Sequence, residues 1–282
     1  ASCQRERWSY VMPRLYGRSG NVMFQTATAL ALAWDLDTLR LHGSRWQAAL
    51  PLPADPVQCA KTFQSSILSS PLIPRVDLSR LEVPDMHYMV EHECHICFQN
   101  LTHEAMALAP RGASLQVQGW RQAHLYFNHH RARLVEAFSL PDHLEVAAQD
   151  WFERYRLASR DDEQEVVSIH IRRGDVGLDD QNLLLTLSYY EEAVRVAGRD
   201  KLFLVFSDDI VWCKSQDLFR GLEWVAFVEI GIDFLELRLM ALCDHHIIAN
   251  STFSFWGAFL HSGPLRGKMP KPAKSRRKRR GR

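Results

Sequence analysis

Val166-Val167-Ser168-Ile169-His170-Ile171-Arg172-Arg173-Gly174-Asp175 is an apolar, β-branched run that ends in a histidine, two arginines, a glycine and an aspartate. Six residues suited to a buried parallel strand are followed at once by cationic donors. In open α/β sheets, ligands sit beyond the carboxyl ends of the strands. Paired guanidiniums there suit a phosphate-bearing ligand, because their planar forks match phosphate oxygens and never lose their charge. The competing reading is a surface loop after a strand, or an arginine paired to Asp175.

Downstream the rhythm is regular. Strands over 165–171, 201–206, 224–230 and 246–249 alternate with helices over 188–197, 210–219, 234–243 and about 253–260. Such alternation implies right-handed βαβ units and a parallel sheet. Upstream, a strand-like run over 8–16, weakened by Pro13, meets the turn Gly17-Arg18-Ser19-Gly20-Asn21 and then a helix over about 22–36. Met23, Ala27, Leu30 and Trp34 recur there at helical spacing. Strand, glycine turn and helix together aim backbone N–H groups at an anion, although tight turns use the same residues. Residues 42–85, rich in Pro, Ser and Gln, read as irregular connections with short helices. A strand over 114–118 and helices over 123–138 and 141–157 follow. The polar cluster at 159–164 marks the boundary, giving domains 1–158 and 159–263 and a tail, 264–282.

Composition narrows the classes. Of 282 residues, 46% are hydrophobic and 24% charged, as in a soluble globular protein. The net charge of +1 conceals an asymmetry. From Arg266 onward there are ten Lys or Arg and no acids, which leaves 24 basic against 33 acidic side chains before it. The tail reads as a disordered, solvated end. No basic stripe with interleaved aromatics extends into the body, so no specific nucleic-acid partner is expected. No run of about 18 apolar residues exists to span a membrane. The chain starts at Ala1 without a signal-peptide pattern, a start compatible with an anchor and stem upstream.

Cys94 and Cys97 form one C-x-x-C near His87, His92, His95 and His103. A structural zinc site usually needs a second pair at suitable spacing, so buried thiols or a local disulfide are the simpler readings. Asn100-Leu101-Thr102 is a glycosylation sequon, usable in a secretory protein. Asn250-Ser251-Thr252 is another, whose apolar flanks imply burial.

Three strand ends carry the chemistry: His170/Arg172/Arg173/Asp175, then Ser207-Asp208-Asp209, then Asn250-Ser251-Thr252-Phe253-Ser254. In a doubly wound sheet they face one crevice. They supply cations for a diphosphate, carboxylates for ribose or base donors, and hydroxyls with a helix N-terminus for phosphate oxygens. Neither the dinucleotide nor the P-loop glycine spacing is present. Each group also has a plain role. Asp208-Asp209 and Ser251/Thr252/Ser254 suit helix caps. Phe253, Phe255, Trp256 and Phe259 suit a core, and His124, His129 and His130 suit a surface.

Five motifs in order, from about residue 9 to 262, resemble the α-1,2-fucosyltransferases of glycosyltransferase family 11. They are the stretches 17–25, 118–127, 168–175, 206–214 and 239–258. The resemblance implies a GT-B-like α/β architecture, with two Rossmann-like domains whose parallel sheets face a cleft. It implies inverting transfer of L-fucose from GDP-β-L-fucose to the 2-hydroxyl of a galactoside, with no cofactor and no required metal. Arg173, with Arg172, would neutralise the β-phosphate of GDP. His170 and Asp208 or Asp209 would contact ribose or guanine, and Ser251, Thr252 and Ser254 would hold phosphate oxygens. Asn21 would approach the donor across the cleft, with Gly20, Asp175 and Asn250 completing the donor set. The implied partners are GDP-fucose and a galactose-containing glycan, with peripheral or anchored membrane association left open. The implied location is the Golgi lumen on a membrane anchor in a eukaryote, or the membrane-associated cytoplasm of a bacterium. The alternatives are another acceptor, a protein or another sugar position, or a truncated, inactive nucleotide-sugar binder.

Departures from the family pattern bear on the acceptor more than on the donor. Arg18 and Ser19 replace a glycine and a leucine, Val22 a glutamine, and Arg121 and His124 a tryptophan and a glutamate. From Pro264 a basic tail stands where the family continues into an apolar strand and an aromatic segment. A sheet short of one element and impaired activity are therefore expected. No motif carboxylate stands out as the base that would deprotonate the acceptor.

Overall fold

A computed structural model describes residues 8–51, 68, 70, 72–76, 86–91, 98–109, 113–157, 164–174 and 184–261. The first half runs β1 (Trp8–Pro13), α1 (Ser19–Thr38), β2 (Arg45–Ala48), β3 (Leu50–Pro51), β4 (Arg75–Val76), β5 (Met86–Met89), α2 (Leu101–Leu108) and β6 (Ser114–Val117). Helices α3 (Arg131–Ala137) and α4 (Asp142–Arg156) follow. The second half runs β7 (Val166–Ile171), α5 (Leu187–Ala197), β8 (Leu202–Ser207), α6 (Ile210–Ser215), α7 (Asp217–Arg220), β9 (Val225–Phe227), α8 (Asp233–Leu242), β10 (His245–Ile247) and α9 (Thr252–Phe259). Two parallel sheets result, ordered β2-β1-β6-β5 and β10-β7-β8-β9, with β3 and β4 paired separately.

Why the second sheet forms is visible in its burial. All six residues of β7 are buried, and its side chains divide between two cores. On β8, Leu202, Leu204 and Phe206 join the larger core, while Phe203 and Val205 join the smaller. Alternation with both faces covered is what a parallel sheet under helices requires. The larger core also takes in Val11, Leu115 and much of α1, so it is continuous across the two halves. Helix α1 is Ala- and Leu-rich on nearly every side and buries 13 of its 20 residues, as a helix wedged between layers must.

Helix α9 closes that core from the other half. Trp256 is fully buried, its indole stacked on Phe127 at 5.3 Å and edge-on to Phe24, Phe138 and Phe259 at 5.1–5.2 Å. Its Nε1–H donates to the Gly20 carbonyl at 3.0 Å. Helix α4 packs on α8, where Arg238 Nε meets Glu145 Oε2 at 2.7 Å.

Several sequence expectations change. The stretch 42–85 is not merely irregular, since β2, β3 and β4 lie in it, and β5 follows just after. The expected helix over 123–138 begins instead as two 3₁₀ turns, His124–Tyr126 and Asn128–His130, and becomes α-helical only at Arg131. The expected 210–219 helix breaks at Gln216. Cys94, Cys97, all of the expected 159–164 boundary except Gln164, and the tail over 264–282 lie outside the described residues. Among the described residues no helix is long and apolar enough to cross a membrane.

Removing the indole that joins the halves tests this architecture. Trp256→Ala is expected to lower the unfolding free energy by about 3–5 kcal/mol, read from urea denaturation.

Candidate active site

The carboxyl ends of β7 and β8 are neighbours, because Ile171 pairs with Ser207. Arg172 and Arg173 therefore emerge beside Asp208 and Asp209. Asp208 accepts the Arg173 and Gly174 backbone N–H groups at 2.9 and 3.0 Å, and its carboxylate forms an ion pair with Arg172. Asp209 caps α6 by accepting the Trp212 N–H at 3.0 Å, and Arg173 Nε meets its other oxygen at 3.2 Å. The Arg173 guanidinium lies 3.8 Å over the Trp212 ring. This combination of stacking and Nε contact orients the fork while Nη1 and Nη2 have no protein partner among the described residues. The capping role of Asp209 thus coincides with a second one, since both aspartates align the arginines.

His170, only 5% exposed, sits behind them with its ring 5.5 Å from Phe253 at the start of α9. Its Nδ1 has no hydrogen-bond partner among the described residues. Burial pushes its pKa down to about 4; the Asp208 charge opposes that shift and the Arg172 charge adds to it. The imidazole is therefore neutral at physiological pH.

The third strand end joins through α1. A methyl group on Gly20 would come 2.6 Å from Thr252 Oγ1 and 2.7 Å from the Phe253 backbone nitrogen, so only glycine allows this approach. Asn21 Oδ1 accepts from Thr252 Oγ1 and from Gln122 Nε2, each at 3.0 Å. Asn21 thus ties the halves together rather than presenting an open carboxamide oxygen across a gap. Ser251 caps α9 through its Oγ, which accepts the Phe253 N–H. Ser254 departs from its expected role: it is fully buried and donates to the Ala249 and Ser251 carbonyls, one turn into the helix. Asn250 is exposed, not buried as its apolar flanks suggested, because it lies in the turn before the cap. Asp175 lies outside the described residues.

A hollow of about 530 Å³ opens at the carboxyl ends of the other sheet, lined by Arg14, Leu15, Tyr16, Val90, Glu91, Gln118, Gly119 and Trp120. These residues follow β1, β5 and β6 directly. Tyr16 and Trp120 meet edge to face at 4.6 Å. Gln25 holds the Tyr16 backbone from both sides, at 3.0 and 3.2 Å. Glu91 accepts the N–H groups of Trp120 and Arg121 at 2.6 and 2.8 Å. Arg121 is wholly buried at φ 51°, donating to Gln118 O, Gln99 Oε1 and Met89 O. A methyl on Gly17 (φ +86°) would touch both Asn21 and Trp120, so the turn before α1 lies against one wall of this hollow. Sequence reading missed Tyr16, Gln25 and Glu91 as site residues. Gln25 closes the opening motif and was the available signal; Glu91 had none, as its partners lie about thirty positions away.

The family model for glycosyl transferase family 11 matches residues 94–265, more than half of the chain. The chain is 29% identical to the alpha-1,2-colitosyltransferase of Escherichia coli over 278 residues, covering 91% of this chain and 89% of that protein. It is 30% identical to galactoside alpha-(1,2)-fucosyltransferase 1 of Leontopithecus chrysomelas over 263 residues, covering 88% of this chain. It spans 64% of the length of that relative. Among solved structures, NodZ alpha-1,6-fucosyltransferase co-crystallized with GDP aligns with TM-score 0.51 and 14% identity, over 91% of this chain and 93% of that one. That likeness bears on the fold, which is the GT-B arrangement of two Rossmann-like halves.

The buried imidazole makes a pH-dependent signature. The unfolded chain takes up a proton at His170 below the ordinary value of 6.5, whereas the folded chain does so only near 4. Stability should therefore rise between pH 4 and 6.5 and level off above, with His170 contributing about 3 kcal/mol to the rise. Urea denaturation of His170→Gln at pH 4.5, 5.5 and 7 should show a shallower slope than the parent protein.

Proposed function

The chain belongs to glycosyl transferase family 11, and from that premise we propose that this glycosyltransferase moves L-fucose from GDP-β-L-fucose to the 2-hydroxyl of a galactoside, inverting the anomeric centre. The observation that carries the proposal is Arg173, at the carboxyl edge of a parallel sheet, whose two terminal nitrogens make no bond among the described residues while its Nε and ring face are held. A guanidinium fixed in that way is organised for an oxyanion before the anion arrives.

The bond that breaks joins fucose C1 to the diphosphate. As it lengthens, positive charge builds on the sugar ring and negative charge on the departing GDP. Arg173, assisted by Arg172, offsets the second, and that interaction strengthens toward the transition state. Neutral His170 offers its unpartnered Nδ1 to a ribose or guanine polar group. Ser251, at the N-cap of α9, adds its hydroxyl toward phosphate oxygens at the positive end of the helix, while the Thr252 hydroxyl stays on Asn21. Attack by the acceptor hydroxyl from the face opposite the diphosphate gives the α linkage.

The neighbouring hollow is proposed as the acceptor side. Its Tyr16–Trp120 corner offers apolar ring surface to the C–H face of a galactose, and Arg14 and Gln118 offer polar donors at the rim. Glu91 holds the loop through both oxygens and is not assigned as the base. The Escherichia coli relative, named for colitose, favours a second reading in which the sugar transferred is colitose. Competing the two nucleotide sugars decides between them.

Linkage analysis of the product from GDP-fucose and a β-galactoside tests the reaction; GDP binding without turnover would contradict it. Arg173→Ala is expected to reduce kcat on the order of a hundredfold or more. Trp120→Ala should raise the acceptor KM while leaving GDP protection against thermal unfolding unchanged. Equal loss of GDP binding would remove the hollow from the acceptor side.

A further inference from the structure

Well away from the crevice, α1 carries a second convergence of polar groups. Asp35 lies fourteen residues beyond Asn21, about 21 Å along the helix axis. There it meets two consecutive histidines of the 3₁₀ turn Asn128–His130. His130 Nε2 is 2.8 Å from Asp35 Oδ1, and His129 Nε2 is 3.2 and 3.1 Å from Oδ1 and Oδ2. One ligand atom from each of the three residues lies within 4.8 Å of the others.

Consecutive residues of a 3₁₀ turn project about 120° apart, so two rings aimed at one carboxylate are not the default of that backbone. Here the ring centroids are 4.3 Å apart. His130 is fixed by an edge contact with Trp34 at 5.1 Å, and Trp34 is in turn covered by the Arg133 guanidinium at 3.9 Å. His130 and Asp35 are mostly shielded, while His129 is half exposed.

We propose that Asp35, His129 and His130 hold a divalent transition-metal ion, zinc being the best match, with water completing the shell. Zinc bonds of about 2.0–2.1 Å in a tetrahedron place ligand atoms roughly 3.3 Å apart. The observed nitrogen–oxygen spacings of 2.8–3.2 Å need to open by only a few tenths of an ångström to admit the ion. Imidazole and carboxylate together select zinc, cobalt, nickel or copper over magnesium or calcium. The exposed side of His129 leaves a path of entry. The bond would pin the carboxyl-terminal half of α1 to the turn that leads into α3. It is separate from the transfer chemistry, which relies on arginines.

The test is metal binding by the full chain after EDTA treatment and dialysis, with Co²⁺ and Zn²⁺ as probes. The wild-type protein should bind an equivalent of Co²⁺ with tetrahedral d–d absorption, and Zn²⁺ should raise its thermal midpoint. His129→Ala/His130→Ala should lose that equivalent and that shift. Asp35→Asn, nearly isosteric and able to keep neutral hydrogen bonds, guards against a folding defect. It should weaken Co²⁺ binding by more than the roughly ten- to hundredfold typical of outer-shell partners. Unchanged affinity in Asp35→Asn, or unchanged stoichiometry in the double variant, would overturn the proposal. So would bound Co²⁺ showing only thiolate charge-transfer bands, which would assign the metal to cysteines and leave the Asp35 cluster as a hydrogen-bonded contact.

Discussion

Helices α1 and α9 approach so closely that a methyl group on Gly20 would overlap the Phe253 backbone, and the Trp256 indole reaches across to bond the Gly20 carbonyl. This approach sets the register between the two halves. Because β7 contacts α9 through His170 and Phe253, and Trp120 contacts the Gly17–Asn21 turn, both sheet edges are positioned from the same junction. Around it, Phe24, Phe127, Phe138 and Phe259 pack on the indole with no polar atom left over beyond the bonded Nε1. A junction made of rigid rings and one glycine tolerates little sliding. The crevice and the hollow therefore inherit a fixed separation.

At the crevice the acids do more for orientation than for stability. Arg173 and Asp209 are about a third exposed, a setting in which an ion pair contributes little net free energy. What Asp208 and Asp209 accomplish is geometric. Asp208 gathers two backbone N–H groups of the loop after β7, and Asp209 combines capping α6 with aiming Arg173. Pairing also lowers the repulsion between adjacent guanidiniums when no anion is present. An incoming diphosphate would then meet cations already aligned.

The parts legible in the sequence were those whose signal is local. The apolar run of β7 and its polar terminus, the βαβ alternation after it, and the glycine turn before α1 could all be read within a few residues. Strands β2 and β5 could not. Arg45–Ala48 alternates half-buried and buried residues over only four positions, and Met86–Met89 has no β-branched residue at all. Both take their strand geometry from pairing with β1 and β6, contacts the sequence does not announce. The hollow was missed for the same reason: Tyr16 and Trp120 are 104 positions apart yet touch. Ser254 misled because a hydroxyl in a motif suggests a ligand, whereas its place one turn inside α9 turns it back onto the main chain. His129 and His130 read as surface residues, and Asp35 carried no signal, until the fold brought them together.

The places where this chain departs from the family pattern now have physical content. Arg18 is the extended residue before α1, Ser19 Oγ bonds Asp233 at the head of α8, and Val22 packs on the core. Arg121, at a tryptophan position, fills the interior behind the hollow and holds three acceptors that fix the 118–122 loop. A buried guanidinium anchored to main-chain carbonyls reshapes a loop differently from a ring that merely fills volume. Arg121 thus alters the loop behind Trp120, while Arg18, Ser19 and Val22 lie at the start of α1; under the proposed function, the first of these changes bears on the shape presented to the acceptor.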